Sequence, residues 1–441
     1  MLSLKEKITS LANDIEQTVI TRRRDLHKHP ESGWTEFRTA SIVADTLHKL
    51  GFQVLIGDEV LNSKFMLGLP DNTELTKQQN RAIQQGAIHP WVDKMTGGKT
   101  AVVGILKFSE DGPVVAYRAD MDANDVTEST EKMHRPFKEG FSSINPGVHH
   151  GCGHDGHTSI ALGVAEILAS LKGELKGTLK LIFQPAEEGL RGARPIAESG
   201  ILDDVDYLLG LHLGGVNAKK LGLLACDVKG WQASIKFNAA FKGVSAHAAG
   251  DTEKGHDALL AAATALLGIH AIPRHSKGMS RVHVGTLNGG TGRNVIADYA
   301  EIKAETRGET TEISDYMYDK AVNVINSSAQ MYNVDVDIIE CGHASGYKID
   351  YDYVDFIKPI AKDLDIFEIL PYGKCNGSED YTSLMTRVQK HGGKSTFFRL
   401  GSDFYGAGHS PNFDFNEKSL GMGVNLIANC LAATLLKHHS K

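Results

Sequence analysis

The stretch that decides the fold is HTSIALGVAEILASLKGELKGTLKLIF, residues 157–183. Up to residue 171 its apolar side chains recur at the spacing of one helix face: Ile160, Val164, Ile167, Leu168 and Leu171. The short apolar run at 178–183 is typical of a buried strand. A helix followed directly by a buried strand is the repeating unit of a layered α/β domain.

The rest of the first half repeats this alternation of helix and strand. Three more short apolar runs, at 101–107, 114–119 and 205–211, are predicted to be buried strands. Strands that alternate with helices favour a mostly parallel sheet with helices on both faces. A strand at 396–400 and a helix at 418–436 continue the pattern, so we expect one α/β domain built from both ends of the chain.

The middle of the chain has a different pattern, because apolar and polar side chains alternate in WQASIKFNAAF, as in a sheet with one exposed face. The predicted segments are strand 231–241, helix 257–270, strands 280–287 and 298–306, helix 312–331 and strand 334–340. This β-α-β-β-α-β order is typical of a ferredoxin-like α+β unit. A chain of 441 residues also exceeds the usual size of a single core. We therefore predict a larger α/β domain over 1–225 and 342–441, and an inserted domain over 226–341.

A polar, helix-like stretch at 59–100 stands apart from both patterns. It lies between two predicted strands. We expect a surface excursion without a chemical role.

Composition argues against several classes of function. The net charge of -7 disfavours a nucleic-acid or anionic-membrane partner, because both favour a basic surface. The longest apolar stretch, 258–269, is far shorter than the roughly 20 residues of a membrane span. The N-terminus carries Lys5, Glu6 and Lys7 where a secretory signal needs an apolar run. Five scattered cysteines, an odd number, fit reduced thiols, so we expect a cytoplasmic protein.

The strongest chemical signal is HHGCGHDGH at 149–157, where the predicted helix begins. Its imidazole, thiolate and carboxylate groups are those that bind Zn²⁺ and similar metals. Its glycines allow the backbone to wrap tightly. The alternatives are a flexible histidine-rich loop, or core histidines satisfied by hydrogen bonds.

Other candidate ligands follow the predicted strands at the point where each strand ends. They are Asp120 and Asp122 after 114–119, Glu187 and Glu188 after 178–183, His212 after 205–211, and His409 after 396–400. In open α/β sheets, ligands bind outside the carboxyl ends of the strands, so we expect these side chains to meet Cys152 and His154 there. Six or seven donors indicate two metal ions, which would bring the pKa of a bridging water toward about 7. One of the paired glutamates would be a ligand and the other a general base, in either assignment.

These residues resemble the metallo-carboxypeptidase and aminoacylase family, in particular its branch of N-acyl-amino-acid amidohydrolases. The motifs occur along nearly the whole chain in the family's order: RRRDLHKHPESGWTEFRT (22–39), RADMDA (118–123), CGHDGH (152–157), FQPAEEG (183–189), LH (211–212), GVSAHAA (243–249), GRNVI (292–296) and GH (408–409). There are departures at Asn124, where the family usually has leucine, and at Ala297, where it has proline. Neither departure removes a candidate ligand.

The resemblance implies a role for each candidate residue. Two divalent cations, Zn²⁺ or Mn²⁺, would be bound by Cys152, His154, Glu188, His212 and His409. Glu187 would be the general base, and Asp120 or Asp122 would orient a histidine ligand. The inserted domain would be a dimerisation lid. On that lid His247, crossing from the partner protomer, and Asn294 would reach the substrate, while Arg307 would clamp its carboxylate.

The activity that the resemblance implies is hydrolysis of the amide bond of an N-acyl or N-aroyl amino acid, with p-aminobenzoyl-glutamate as the leading example. A general aminoacylase or a dipeptidase on the same scaffold is the alternative. A non-catalytic partner subunit of a hydrolase complex is the alternative from another class. The partner would be a second copy of this chain or a related B subunit.

Overall fold

The structure of the chain, a computed structural model, describes residues 2–215 and 217–437. The elements of the first part are α1 (Leu4–Lys28), α2 (Phe37–Lys49), β1 (Gln53–Ile56), α3 (Asn72–Gln84), α4 (His89–Val92), β2 (Val102–Lys107), β3 (Val114–Asp120), α5 (Arg135–Glu139), α6 (His154–Ser170), β4 (Thr178–Gln184), α7 (Ala193–Ala197), β5 (Tyr207–Leu213), β6 (Leu223–Ala225) and β7 (Val228–Lys229).

The middle part contains β8 (Ala233–Lys242), β9 (Ala246–His247), α8 (Ala258–His270), β10 (Ser280–Gly289), β11 (Val295–Ile296), β12 (Tyr299–Gly308), α9 (Thr311–Met331) and β13 (Asp335–Ala344). The last part contains α10 (Tyr351–Asp363), β14 (Glu368–Ile369), β15 (Gly373–Lys374), α11 (Tyr381–Lys390), β16 (Lys394–Leu400), β17 (Phe404–Tyr405), β18 (Asp414–Phe415) and α12 (Lys418–Leu435).

The large sheet has the strand order β1-β2-β4-β3-β5-β16-β6-β14. Its four central strands, β4, β3, β5 and β16, pair in parallel, which confirms the predicted α/β fold. At the flanks β1 pairs antiparallel with β2, β2 with β4, and β16 with β6, so the sheet is mostly but not wholly parallel, as predicted. Asp120 pairs with Gln184 and Leu213 with Leu400, so the central strands end level with one another at one edge.

Helices cover both faces of the large sheet. On one face α1, α6 and α12 pack against one another and, with α2, enclose the main apolar core. On the other face α7 and α11 cover a second core that includes Trp34, Trp231 and Phe397. Within the described ranges no helix combines the length and the apolar character that crossing a bilayer requires.

The middle part folds around a separate antiparallel sheet with the order β10-β12-β8-β13. The helices α8 and α9 pack against each other and against this sheet, and its core includes Phe237, Phe241, Ile302 and Ile325. This arrangement confirms the predicted ferredoxin-like order. Strand β13 of this sheet extends to Ala344, three residues past the predicted end of the inserted domain. The domain boundaries at 226 and 341 stay predictions.

Residues 59–100 form more than a surface excursion, so that expectation is wrong in part. The helices α3 and α4 pack against α2 and bury Leu75, Ala82 and Val92. Arg81 on α3 also forms an ion pair of 2.8 Å with the buried Glu31. The polar pattern of α3 hid this contact because only one narrow face of the helix is buried.

Candidate metal centre

A cavity of about 680 Å³ opens at the edge where the central strands end. Its lining includes Cys152, Glu187, His212, Glu379, Arg399 and His409. His212 and Arg399 lie near the carboxyl ends of the parallel strands β5 and β16, and Glu187 follows β4. Cys152 lies in the loop before α6, and loops after β15 and β17 supply Glu379 and His409.

His154 is the first residue of α6, and it follows Gly153, whose φ of 91° is in the left-handed region that glycine favours. Its Nδ1 donates to the backbone carbonyl of Asp122 at 2.9 Å. Its buried Nε2 has no hydrogen-bond partner among the described residues. The nearest carboxylates are those of Asp120, at 3.7 Å, and Glu187, at 3.9 Å. A buried nitrogen in this position is suited to bind a cation.

The donor atoms of Cys152, His154 and His212 lie within 4.8 Å of one another. His212 donates from Nδ1 to the carbonyl of Leu213 at 2.7 Å, which leaves its Nε2 facing Cys152 Sγ at 3.4 Å. This tautomer is the one that a metal-binding imidazole needs.

A second donor group shares Cys152 with the first. The donor atoms of Cys152, Glu188 and His409 also lie within 4.8 Å of one another, and His409 Nε2 is 3.2 Å from Glu188 Oε1. His409 adopts a φ of 61°, a left-handed conformation that is costly for a non-glycine residue. Its backbone N–H bonds to the carbonyl of Gly151, which fixes the histidine beside the Cys152 loop.

The two adjacent glutamates differ in their electrostatic surroundings. Burial and the neighbouring carboxylates of Glu379 and Glu188 raise the pKa of Glu187 well above its usual value. Burial also opposes the charged form of Glu188, but the hydrogen bond from His409 and the charge of His154 outweigh it and lower the pKa of Glu188 to about 2. Glu187 is therefore the one whose carboxylate readily takes up a proton.

The two predicted supporting aspartates have different partners. Asp122 accepts the backbone N–H groups of Glu187 and Glu188 at 3.0 and 2.9 Å, in addition to the contact with His154. Asp120 instead binds Nδ1 of His157 at 2.6 Å and Nη1 of Arg118 at 2.6 Å. Asp122 thus contacts a candidate ligand directly, whereas Asp120 orients a histidine outside the candidate set.

Of the residues predicted on the middle domain, only Arg307 approaches this cavity. Its Nη1 donates to Ser378 Oγ at 3.2 Å, and Ser378 lines the cavity wall. The remaining nitrogens of Arg307 pair with Glu305 at 2.7 and 2.9 Å. His247 and Asn294 are exposed on the paired strand β9 and the loop before β11, outside the cavity lining.

Several charged residues of the site were not predicted from the sequence. Arg118 is fully buried and pairs with Asp120, Glu379 and Asp380. Arg399, the second-to-last residue of β16, lines the cavity, and its Nε has no hydrogen-bond partner among the described residues. Charged residues inside an apolar strand pattern were the available signal, but they do not reveal which distant segment they face.

A cavity at the carboxyl edge of a parallel sheet, with nitrogen, sulfur and carboxylate donors on its floor, is typical of metal-dependent hydrolases with a layered α/β fold. Comparison with family models agrees. The model described as Peptidase family M20/M25/M40 matches residues 116–433. The chain belongs to this family, and the resemblance inferred from the motifs is confirmed.

Individual relatives cover nearly the whole chain. The chain is 44% identical over 409 residues to an indole-3-acetyl-aspartic acid hydrolase of Enterobacter agglomerans, covering 92% of this chain and 93% of the relative. It is 42% identical to one of the subunits of the p-aminobenzoyl-glutamate hydrolase of Escherichia coli (strain K12), covering 97% of each. The crystal structure of an aminobenzoyl-glutamate utilization protein from Klebsiella pneumoniae matches with a TM-score of 0.83 at 37% identity, covering 98% of each chain.

Proposed function

We propose that this hydrolase cleaves the amide bond between an aromatic acyl group and an acidic amino acid, with p-aminobenzoyl-glutamate as the leading substrate, and that it depends on two divalent cations. The observation that carries the proposal is the buried, unpartnered Nε2 of His154 beside the donors of Cys152 and His212. A buried polar atom without a partner is uncommon in a site built only for hydrogen bonding.

The side chains present fit a pair of borderline cations such as Zn²⁺ or Mn²⁺. His154 and His212 would hold one position, Glu188 and His409 the other, and Cys152 lies within reach of both. Cations held there would polarise the scissile carbonyl and supply hydroxide at neutral pH.

Glu187 is the proposed general base. It lines the cavity, lies next to the donor cluster, and forms no ion pair closer than the 3.9 Å contact with His154 among the described residues. Its carboxylate would accept a proton from the attacking water and return it to the leaving nitrogen. The hydrogen bond from its own backbone N–H to Asp122 would keep it aimed at the cavity.

The charge of the cavity wall favours a substrate with carboxylates. Arg399 forms no ion pair with any described residue, and Lys219 also lines the cavity. Two of the relatives are named for hydrolysis of an aspartate conjugate and a glutamate conjugate. We therefore assign Arg399 to the side-chain carboxylate of the substrate's acidic amino acid, and Arg307, next to Ser378, to its α-carboxylate.

The dipeptidase alternative requires a free acidic group for the substrate's amino terminus. The acidic wall residue Glu379 is already paired with Arg118 at 3.1 Å, so it is less suited to this role. The alternative of a non-catalytic partner predicts lost ligands or a lost base, whereas every proposed group is present. A broad aminoacylase would need an apolar wall in place of the unpaired Arg399.

We also propose that a partner chain completes the cavity. Because His247 is exposed and outside the cavity of its own chain, we assign it to the cavity of a partner, in a homodimer or in a heterodimer with a related B subunit. One relative is named as one subunit of its hydrolase, which supports an assembly of more than one chain.

The test is a hydrolysis screen of protein depleted of metal and reloaded separately with Zn²⁺, Mn²⁺ and Co²⁺. The substrates are p-aminobenzoyl-glutamate, an indole-acetyl-aspartate, an N-acyl-leucine and two dipeptides. The proposal expects metal-dependent cleavage that is fastest for the acidic conjugates. Equal cleavage of N-acyl-leucine would favour the general aminoacylase, and preference for dipeptides would overturn the substrate assignment.

A further inference from the structure

A second cluster of metal-binding side chains lies outside the hydrolytic cavity. It consists of His27 on α1, Glu128 in the loop after β3, and His149 in the histidine-rich loop, and we call it the buried triad. The donor atoms of the three residues lie within 4.8 Å of one another. All three side chains are buried. None of the proposed hydrolytic steps uses them.

His149 has a fixed tautomer. Its Nε2 lies 3.0 Å from the backbone carbonyl of Ser410 and must donate to it, because a carbonyl oxygen only accepts. In the neutral ring the lone pair is therefore on Nδ1, which is buried and has no hydrogen-bond partner among the described residues.

This lone pair faces a carboxylate oxygen. His149 Nδ1 is 3.8 Å from Oε1 of Glu128. The other oxygen of Glu128 accepts the backbone N–H of Ser143 at 2.5 Å, which directs Oε1 toward the triad. Two electron-rich atoms that face each other in a buried space repel unless a proton or a metal cation nearby compensates them.

His27 meets the same oxygen from the other side. Its Nε2 is 2.9 Å from Oε1 of Glu128, and its Nδ1 is 2.8 Å from Oδ2 of Asp155, with Nη2 of Arg23 at 3.2 Å from the same Nδ1. An imidazole between two carboxylates needs either two protons, or one proton and a metal ion. A histidine that binds metal through Nε2 usually donates a hydrogen bond from its Nδ1–H to a carboxylate, which fixes the orientation of the ring.

We propose that the buried triad binds a structural metal ion, through His27 Nε2, Glu128 Oε1 and His149 Nδ1. Two imidazoles and one carboxylate favour Zn²⁺ or a similar borderline cation. His134 Nε2, 2.8 Å from the same oxygen of Glu128, is the nearest candidate for a fourth ligand. The ion would fasten the N-terminal helix to the loop that carries Cys152.

The deciding experiment is anomalous diffraction at the zinc edge from crystals of the full-length protein grown with Zn²⁺. We expect a peak within about 2.0–2.2 Å of the three donor atoms, separate from any peak in the hydrolytic cavity. The His149→Leu variant should lose this peak and keep the others. The matched control is His29→Asn, directly after the same helix, where the ring bonds to the carbonyl of Asp25, and this variant should keep all peaks.

The competing occupant is a proton on His27. In that case wild-type crystals show no anomalous peak at the triad, whether or not metal is bound in the hydrolytic cavity, and the proposal is overturned. The wild-type measurement decides this even if His149→Leu fails to fold. If the variant folds, its melting temperature should rise less on addition of Zn²⁺ to chelator-treated protein than that of wild type. An equal rise would also contradict the proposal.

Discussion

The backbone carbonyl oxygen of Asp122 lies 2.9 Å from Nδ1 of His154 and accepts its proton in a hydrogen bond. The carboxylate of the same aspartate accepts the backbone N–H groups of Glu187 and Glu188. One residue at the end of β3 therefore orders two sides of the candidate centre. The proposed ligand and the proposed base are positioned relative to each other through it.

The first prediction concerns this aspartate. In Asp122→Asn, the side-chain NH₂ would face the backbone N–H of Glu187 or Glu188, so that two donors would meet. One buried, charge-assisted hydrogen bond would be lost. We expect the free energy of unfolding to fall by roughly 2 kcal/mol and turnover to fall with it. Thermal or denaturant unfolding measures the first effect. The control is Asp125→Asn, on the exposed neighbouring residue, and identical unfolding of both variants would contradict the role of Asp122.

The second prediction concerns pH and stability without metal. The folded-state pKa of Glu187 is raised by burial and by Glu379 and Glu188, above the value of 4.5 that applies when unfolded. The contribution of Glu187 to the stability of the folded state is then greatest below pH 4.5 and is lost as the pH rises through the raised pKa. In chelator-treated protein, Glu187→Gln should therefore melt at a higher temperature than wild type at pH 8, with a gap that narrows toward pH 5. A variant that melts lower than wild type at pH 8 would rule this out.

Much of the architecture was predictable because it rests on local periodicity. The helix expected at 157–171 appears as α6, and the ferredoxin-like order appears as β8 to β13. The candidate donors were predictable for a related reason, since parallel strands of one sheet end at one edge. The buried face of α3 was not predictable in this way, because polar side chains occupy most of the helix surface.

The charged support of the site was not predictable in the same way. Arg118 pairs with Asp380 across 262 residues of sequence, and nothing near either residue indicates its partner. The buried triad has the same character, because His27, Glu128 and His149 come from three separate segments. Such contacts depend on tertiary packing rather than on local pattern.

The third prediction concerns substrate selection. Arg399→Gln should raise KM for p-aminobenzoyl-glutamate by about 10- to 100-fold, the loss expected for a charge-assisted hydrogen bond. It should leave the KM for an N-acyl-leucine nearly unchanged, because that substrate has one carboxylate fewer. Steady-state kinetics with both substrates give the comparison. The control, Arg387→Gln, removes an exposed ion pair with Asp203 outside the cavity. Equal effects of Arg399→Gln on both substrates would contradict the assignment of Arg399 to the side-chain carboxylate.

The fourth prediction concerns the partner. Within its own chain, His247 accepts hydrogen bonds at Nδ1 from the backbone N–H groups of Ala249 and Gly250. The Nε2–H group of the ring is therefore available to another protomer. His247→Ala and Glu187→Gln proteins, each inactive alone, should recover partial activity when they are unfolded and reassembled together. Tags of different size on the two variants identify the mixed dimers. Mixed dimers that form but stay inactive would show that each chain completes its own site.

The most direct test of the proposed metal-dependent mechanism is to measure metal content and turnover together in Glu187→Gln and Glu188→Gln. Our account predicts that Glu187→Gln keeps the wild-type metal content and loses about 10²- to 10⁴-fold in turnover, the usual contribution of a general base. Glu188→Gln should lose metal as well as activity. Near-normal turnover of Glu187→Gln, or full metal content in Glu188→Gln, would contradict the assignment of base and ligand.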